Sequence, residues 1–238
     1  MAVEYELRDG VALIHLNRPH RLNAVVPELT EGLVGALERA TAESARVAVL
    51  AGRGRAFCSG HDLKEQLPAQ DVSGLHRRVD RIQDVTRRVR AFPGPVIAAV
   101  HGYALGAGCE FALGCDLVVA AEDTQFGFPE VAVGLSVTGG ISRLLPLLVG
   151  PMRAKELLLL GERLGAAEAA RFGLVNRVTP AEGHEQLAWE LACQLRERPR
   201  AALALAKQAL DRGLDRTLEE SMAAEVDHAV LTCFTGES

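Results

Sequence analysis

Short apolar runs that lead into loops or helices constrain the fold of this chain more than any other feature. VAVLAG (47–52), PVIAAVHG (95–102) and LVVAA (117–121) each read as a buried strand. Helical spacing separates them: Leu29, Leu33 and Leu37 recur on one face after Pro27, and Val79, Ile82, Val89 and Phe92 follow from Leu75. Pro93 and Pro95 end the second of these helices. Ahead of them, VEYEL and VALIHLN flank the polar turn RDG and predict a β-hairpin. GAGCEFALG predicts a further helix. After Gly139 the pattern turns helical, in LLPLLVG, PMRAKELLLL and AAEAARFG, broken by the strand-like run LVNRVT (174–179). From Ala181 onward everything reads as helix, with apolar stripes at Leu187, Leu191 and Leu195 and then at Leu218, Met222 and Val226. The expectation is an α/β core over residues 1–180 with a helical C-terminal region over 181–238.

A chain of 238 residues can bury a large core, and 48% hydrophobic with 24% charged residues is ordinary globular composition. The formal charge of −5 offers no general attraction for nucleic acid or an acidic membrane. No apolar run suggests a membrane span, and MAVEYELRDG lacks the pattern of a secretory signal, so no membrane partner and a cytoplasmic setting are expected. Five cysteines without a C-x-x-C pair read as reduced thiols, with no zinc spacing. The arginines of the helix from Leu75 read as a solvated face paired with carboxylates such as Asp80 and Asp84.

Two glycine loops need a chemical reading. AGRGRAF and GAGCEF both lack the third glycine of a dinucleotide fingerprint, and neither contains the G-K-[ST] of a phosphate loop. Ser59, His61 and Asp62 lie too close in sequence to converge as a catalytic triad. The loops do bring backbone N–H groups to the end of the sheet, beside helix starts where such groups lack partners. A pair of these donors can hold a developing oxyanion.

Two carboxylates complete the pattern. Glu110 closes GYALGAGCE in the first turn of a helix, where it can cap the helix or face the cavity. Glu130 sits in TQFGFPEVAVGL between apolar neighbours, where poor solvation raises a carboxyl pKa toward the acid–base range.

Together these segments resemble the enoyl-CoA hydratase/isomerase, or crotonase, family along nearly the whole chain. HLNRPHRLNAV (15–25), GRAFCSGHDLKE (54–65), the long run from Pro95 to Leu135, and LGAAEAARFGLVNRV (164–178) carry the resemblance. It implies a crotonase-like spiral of ββα units, and an acyl-CoA thioester as substrate. It implies an oxyanion hole from the backbone N–H groups of His61 and Ala107, and Glu110 and Glu130 as catalytic acids. It places Arg21, Leu22, Ala24, His61, Asp62, Leu63 and Lys64 along the CoA path. No metal or redox cofactor is implied, and the helical C-terminal region is expected to build a homotrimer or a dimer of trimers.

Because both acid positions are Glu, the resemblance favours hydration of a 2-enoyl-CoA. A double-bond isomerase, and a catalytically silent interaction or RNA-binding protein on the same fold, stand as alternatives. Three departures are visible. His61 stands where many hydratases have Ala. GLSVTGGISRLL (134–145) keeps the paired glycines but differs ahead of them. The sequence ends at TGES, before the last helix that family members add.

Overall fold

A computed structural model describes residues 1–64 and 71–234. Glu65, the last residue of GRAFCSGHDLKE, and the closing TGES segment lie outside the described residues. In chain order the first elements are β1 (Val3–Arg8), β2 (Val11–Leu16), α1 (Pro27–Ala42), β3 (Val47–Gly52), α2 (Val72–Ala91), β4 (Val96–Val100) and β5 (Tyr103–Leu105). Then come α3 (Ala107–Leu113), β6 (Leu117–Ala121), β7 (Gln125–Gly127), α4 (Ile141–Val149), α5 (Pro151–Leu160), β8 (Arg163–Gly165), α6 (Ala166–Arg171) and β9 (Arg177–Thr179). Three helices close the chain: α7 (His184–Arg196), α8 (Arg200–Gly213) and α9 (Leu218–Phe234).

The expected hairpin forms the antiparallel edge of a sheet ordered β1-β2-β3-β4-β6-β9, whose other pairings are all parallel. A second sheet, β5-β7-β8, runs alongside. β4 leads into β5 and β6 into β7, so successive turns of chain lay one strand in each sheet. An earlier turn follows the same path: beyond β3, Cys58 makes an isolated parallel bridge to Ala104 of β5. Helices α2 and α3 follow the second segment of their turns, which is the ββα spiral that the resemblance implied.

The inner strands β2, β3, β4 and β6 are buried on both faces, which is why they read as continuous apolar runs rather than alternating ones. Ala48, Leu50, Ala98, Val100, Val118 and Ala120 pack toward α1, α2 and α3. The alternate residues Val47, Val49, Ala51, Ile97, Ala99 and Val119 pack against Ala188 and Ala192 of α7. Leu187, Leu191 and Leu195 sit against the same cluster. The leucine stripe of α7, assigned from sequence to the helical C-terminal region, therefore closes the second face of the sheet.

α8 and α9 differ from α7, because neither buries an apolar side chain. One buried cation ties α8 down. Lys207 Nζ donates to the carbonyls of Val89 (2.8 Å) and Gly94 (3.1 Å) and to Asp116 Oδ2 (2.7 Å). The Val89 carbonyl lies in the last turn of α2, where Phe92 N reaches it only at 3.4 Å, so the lysine is the nearer donor to an acceptor at the helix end. The arginines of α2 behave as expected, with Arg87 paired to Asp80 and Asp84.

Two sequence readings were incomplete. β5, β7 and β8 are three residues each, too short for any period to show, and their strand character was not foreseen. In LVNRVT only Arg177–Thr179 is strand.

Candidate active site

Glu110 is placed by α3, which starts at Ala107 directly after β5. The residue is 1% exposed, so it does not act as a solvent-facing helix cap. Its carboxylate is gripped from the loop that precedes α4: the Thr138 amide donates to Oε1 at 2.6 Å and the Thr138 hydroxyl to Oε2 at 2.5 Å. Burial pushes its pKa up to about 7; the two Thr138 donors oppose that rise, and the neighbouring charge of Glu130 adds to it.

Glu130 follows β7 and the buried Phe128, and is itself 7% exposed. Burial raises its pKa as well. Its Oε2 is buried with no hydrogen-bond partner among the described residues. Its Oε1 lies over the turn into α3: a Cβ added to Gly106 would stand 2.7 Å from that oxygen. Gly106 also has φ of +52°, a conformation that disfavours any side chain. Glycine at 106 therefore lets the second acid reach the start of the helix that carries the first.

The two loops expected to supply backbone donors meet at this point. Gly60 packs on the β5 end so closely that a Cβ there would lie 2.8 Å from the Leu105 carbonyl oxygen and 3.6 Å from Gly106 Cα. The amides that follow these glycines belong to His61 and Ala107. Neither donates to a backbone carbonyl among the described residues. The His61 imidazole turns toward α1 and α2, in a small cavity shared with Val25, Thr30, Glu31, Arg78 and Arg81. Burial, and then the charge of Arg78, lower its pKa.

The segment of Arg21, Leu22 and Ala24 runs alongside the His61 loop. Ser59 N donates to Leu22 O, Val25 N to Gly60 O, and Asp62 N to Val25 O, at 2.8–3.1 Å. Asp62 is the hub: Arg21 forms a two-pronged pair with its carboxylate at 2.8 and 3.2 Å, Arg18 approaches at 3.4 Å, and the Lys64 amide donates to it at 3.2 Å. Leu63 and Lys64 are exposed. A cleft of about 450 Å³ lies here, lined by Arg18, Arg21, Val26, Pro27, Glu28 and Asp62.

Sequence reasoning missed three residues that hold this arrangement. Thr138 lay inside the segment noted only for differing ahead of its glycines. Asn23, fully buried, accepts from Arg18 N and donates to the carbonyls of Arg53 and Ala56. Arg18 donates to the Ala24 carbonyl. The one local signal for the last two was an Arg and an Asn flanking a short loop, and many surface loops share it.

Comparison with known proteins adds an independent line. The family model described as enoyl-CoA hydratase/isomerase matches residues 6–235. A 2,3-dehydroadipyl-CoA hydratase from Escherichia coli K12 is 39% identical over 219 residues, covering 92% of this chain and 85% of the relative. A short-chain-enoyl-CoA hydratase from Clostridium acetobutylicum is 34% identical over 236 residues, covering 98% and 89%. The crystal structure of an enoyl-CoA hydratase from Mycobacterium smegmatis superposes with a TM-score of 0.93 at 32% identity, covering 99% of this chain and 92% of that one. With the spiral, the two glycine loops and the buried acid pair on one chain, the protein belongs to the enoyl-CoA hydratase/isomerase family.

Proposed function

We propose that this chain adds water across the double bond of a 2-enoyl-CoA thioester. The observation that carries the reading is the pair of buried carboxyls, Glu110 and Glu130, beside two backbone amides that have no backbone partner among the described residues. The thioester oxygen would sit on the N–H groups of His61 and Ala107. Those donors stabilise the enolate that forms when a nucleophile adds at Cβ. The two Thr138 donors favour the carboxylate form of Glu110 against the burial that raises its pKa, and in that form Glu110 takes a proton from water. Glu130, whose buried Oε2 has no hydrogen-bond partner among the described residues and whose pKa burial raises, gives its proton to Cα as the acid. The hydroxyl goes to Cβ and the Glu130 proton stays on Cα, so the step leaves Glu110 protonated by the proton from water and Glu130 ionised, and one proton returns from Glu110 to Glu130 before the next turnover. Water addition is redox-neutral acid–base chemistry, so the reading calls for no metal or redox cofactor.

The CoA portion would run over Arg21, Leu22 and Ala24 and the facing residues His61, Asp62, Leu63 and Lys64. The hydrogen bonds between those two segments support this path. The names of the relatives support hydration over double-bond migration. An isomerase needs only one group to move a proton between Cα and Cγ, and it leaves the second buried acid without a task. The two retained acids and the net charge of −5 argue against a silent or RNA-binding role.

We also infer assembly into a homotrimer or a dimer of trimers through α8, α9 and the helices beside them, and work in a reducing, cytoplasmic setting. All five cysteines are free. Among the described residues no helix is long and apolar enough to cross a membrane.

An absorbance assay with matched 2-enoyl-CoA and 3-enoyl-CoA thioesters tests the reaction. Loss of the conjugated enoyl signal from the 2-enoyl compound, with formation of the 3-hydroxy product, is expected. Turnover of the 3-enoyl compound to the conjugated one without hydration would replace this reading with the isomerase.

A further inference from the structure

Glu110 and Glu130 are joined by more than proximity. The stretch between Glu130 and α4 is largely exposed, with Val131, Val133 and Leu135 each close to half exposed. It is anchored at both ends to the acid pair. At its start the Glu130 carbonyl accepts from Val133 N at 3.0 Å and Leu135 N at 2.8 Å. At its end Thr138 closes on the Glu110 carboxylate, one donor to each oxygen. Among the described residues the one other partner of the Thr138 backbone is Ile141 N, which donates to its carbonyl as α4 begins. Among the described residues, the hydroxyl is thus the one side-chain group that hydrogen-bonds the Glu110 carboxylate.

Any residue but proline at 138 supplies the amide. The hydroxyl is a choice of side chain, in the very segment where the chain departs from the usual hydratase pattern.

We propose that Thr138 is a positioning residue for this reaction: its hydroxyl fixes the Glu110 carboxylate in one orientation and holds it in the ionised form that accepts a proton from water. This rests on the hydratase reading for its kinetic consequence, but the clamp itself is a property of the folded chain. The physical cause is direct. A carboxylate is an acceptor only, so a hydroxyl hydrogen bond to it favours the charged form and opposes the cost of burial. The other titratable groups bearing on Glu110 are Glu130 and the thiols of Cys58 and Cys109. Both thiols are held neutral by burial, pushed above the ordinary range, and Glu130 acts against ionisation. Thr138 is the group that acts for it.

Two substitutions separate the hydroxyl from its shape. Thr138→Val keeps the volume and the amide and removes the hydroxyl; Thr138→Ser keeps the hydroxyl. In the Val variant the acid limb of the kcat/KM profile moves up by about one pH unit, since a base that must be ionised now ionises later. At neutral pH kcat falls roughly tenfold or more, while KM stays within about twofold. The Ser variant returns both to within about threefold of the parent. A second readout does not depend on turnover: with carbon-13 on the glutamate side-chain carboxyls, the Glu110 signal, identified by its loss in Glu110→Gln, titrates at higher pH in the Val variant. If that titration and the acid limb stay at the parent's position in Thr138→Val, the proposal is overturned. It is equally overturned if Thr138→Ser is shifted as far as Thr138→Val, because then packing and not the hydroxyl is responsible. If the parent chain proves not to be a hydratase and the Glu110 titration still moves with the hydroxyl, the clamp stands and the reading of the reaction falls.

Discussion

A carboxyl with about 1% of its surface exposed is costly in its charged form, and Glu110 carries that cost into the stability of the whole chain. Its folded pKa is raised to about 7, above the ordinary carboxylate value. Between the two values the native state holds more protons than the unfolded one, so stability falls as pH rises through that window. With each pKa unit worth about 1.4 kcal/mol, the loss is on the order of 3 kcal/mol by pH 8. Glu110→Gln removes the titration. Its melting temperature should be flatter than the parent's between pH 5 and 8, and higher at pH 8. A steeper or unchanged dependence in a melting series would show that Glu110 does not titrate there. His61 gives a contrasting prediction. Its imidazole lies among α1 and α2 residues and only its amide is assigned to the reaction. His61→Ala should therefore keep kcat within about threefold, since the backbone donor survives. A loss comparable to removal of either acid would mean the ring takes part.

Helix α3 shows how one element sets the chemistry. It starts at the turn that offers the Ala107 amide and presents Glu110 a turn later. Ala107→Pro removes that donor and should lower kcat by about 10²–10³, the usual effect of losing an oxyanion donor. α8 carries a different prediction. Lys207 is its buried anchor, and Asp116 loses its cationic partner if the lysine is truncated. Breaking one side of a buried pair typically costs about 3–5 kcal/mol, so Lys207→Ala should lower the unfolding midpoint by a matching amount in a denaturant titration, and a change under about 1 kcal/mol would contradict the role. What was legible in sequence follows the same scale. Strands long enough to cross the sheet, and helices with a repeating apolar face, announced themselves through periodicity. β5, β7 and β8 did not, because a three-residue strand has no period to read. Glu110 and Glu130 were legible because an acid inside an apolar motif is conspicuous. Thr138 was not, because its role comes from a fold contact 28 positions away in the chain. The stripe of α7 was visible, but its partner was not: the same leucines could serve another subunit or, as they do, the second face of the sheet.

At the scale of the molecule, the accessible surface is 12339 Å², about a fifth above the roughly 10,300 Å² expected of a compact monomer of this mass. Leu210, Leu214, Leu218, Met222, Val226, Val230 and Phe234 contribute to the excess along α8 and α9. A row of exposed apolar side chains like this is the kind of surface that an interface covers, and the proposed closed ring of identical chains would bury it. Light scattering should return three or six times 25.4 kDa, and a monomer mass at micromolar concentration would contradict the assembly. The central claim is that one buried acid pair, served by two backbone donors, does the hydration. The most direct test is kcat for a 2-enoyl-CoA thioester in Glu110→Gln, Glu130→Gln and the double variant, with thioester binding measured in each. Both single variants should bind almost normally and lose about 10²–10⁴ in kcat. The double variant should be less than about tenfold worse than the weaker single, because groups that act as a unit do not add. Near-parental turnover in either single variant, with binding intact, would contradict it.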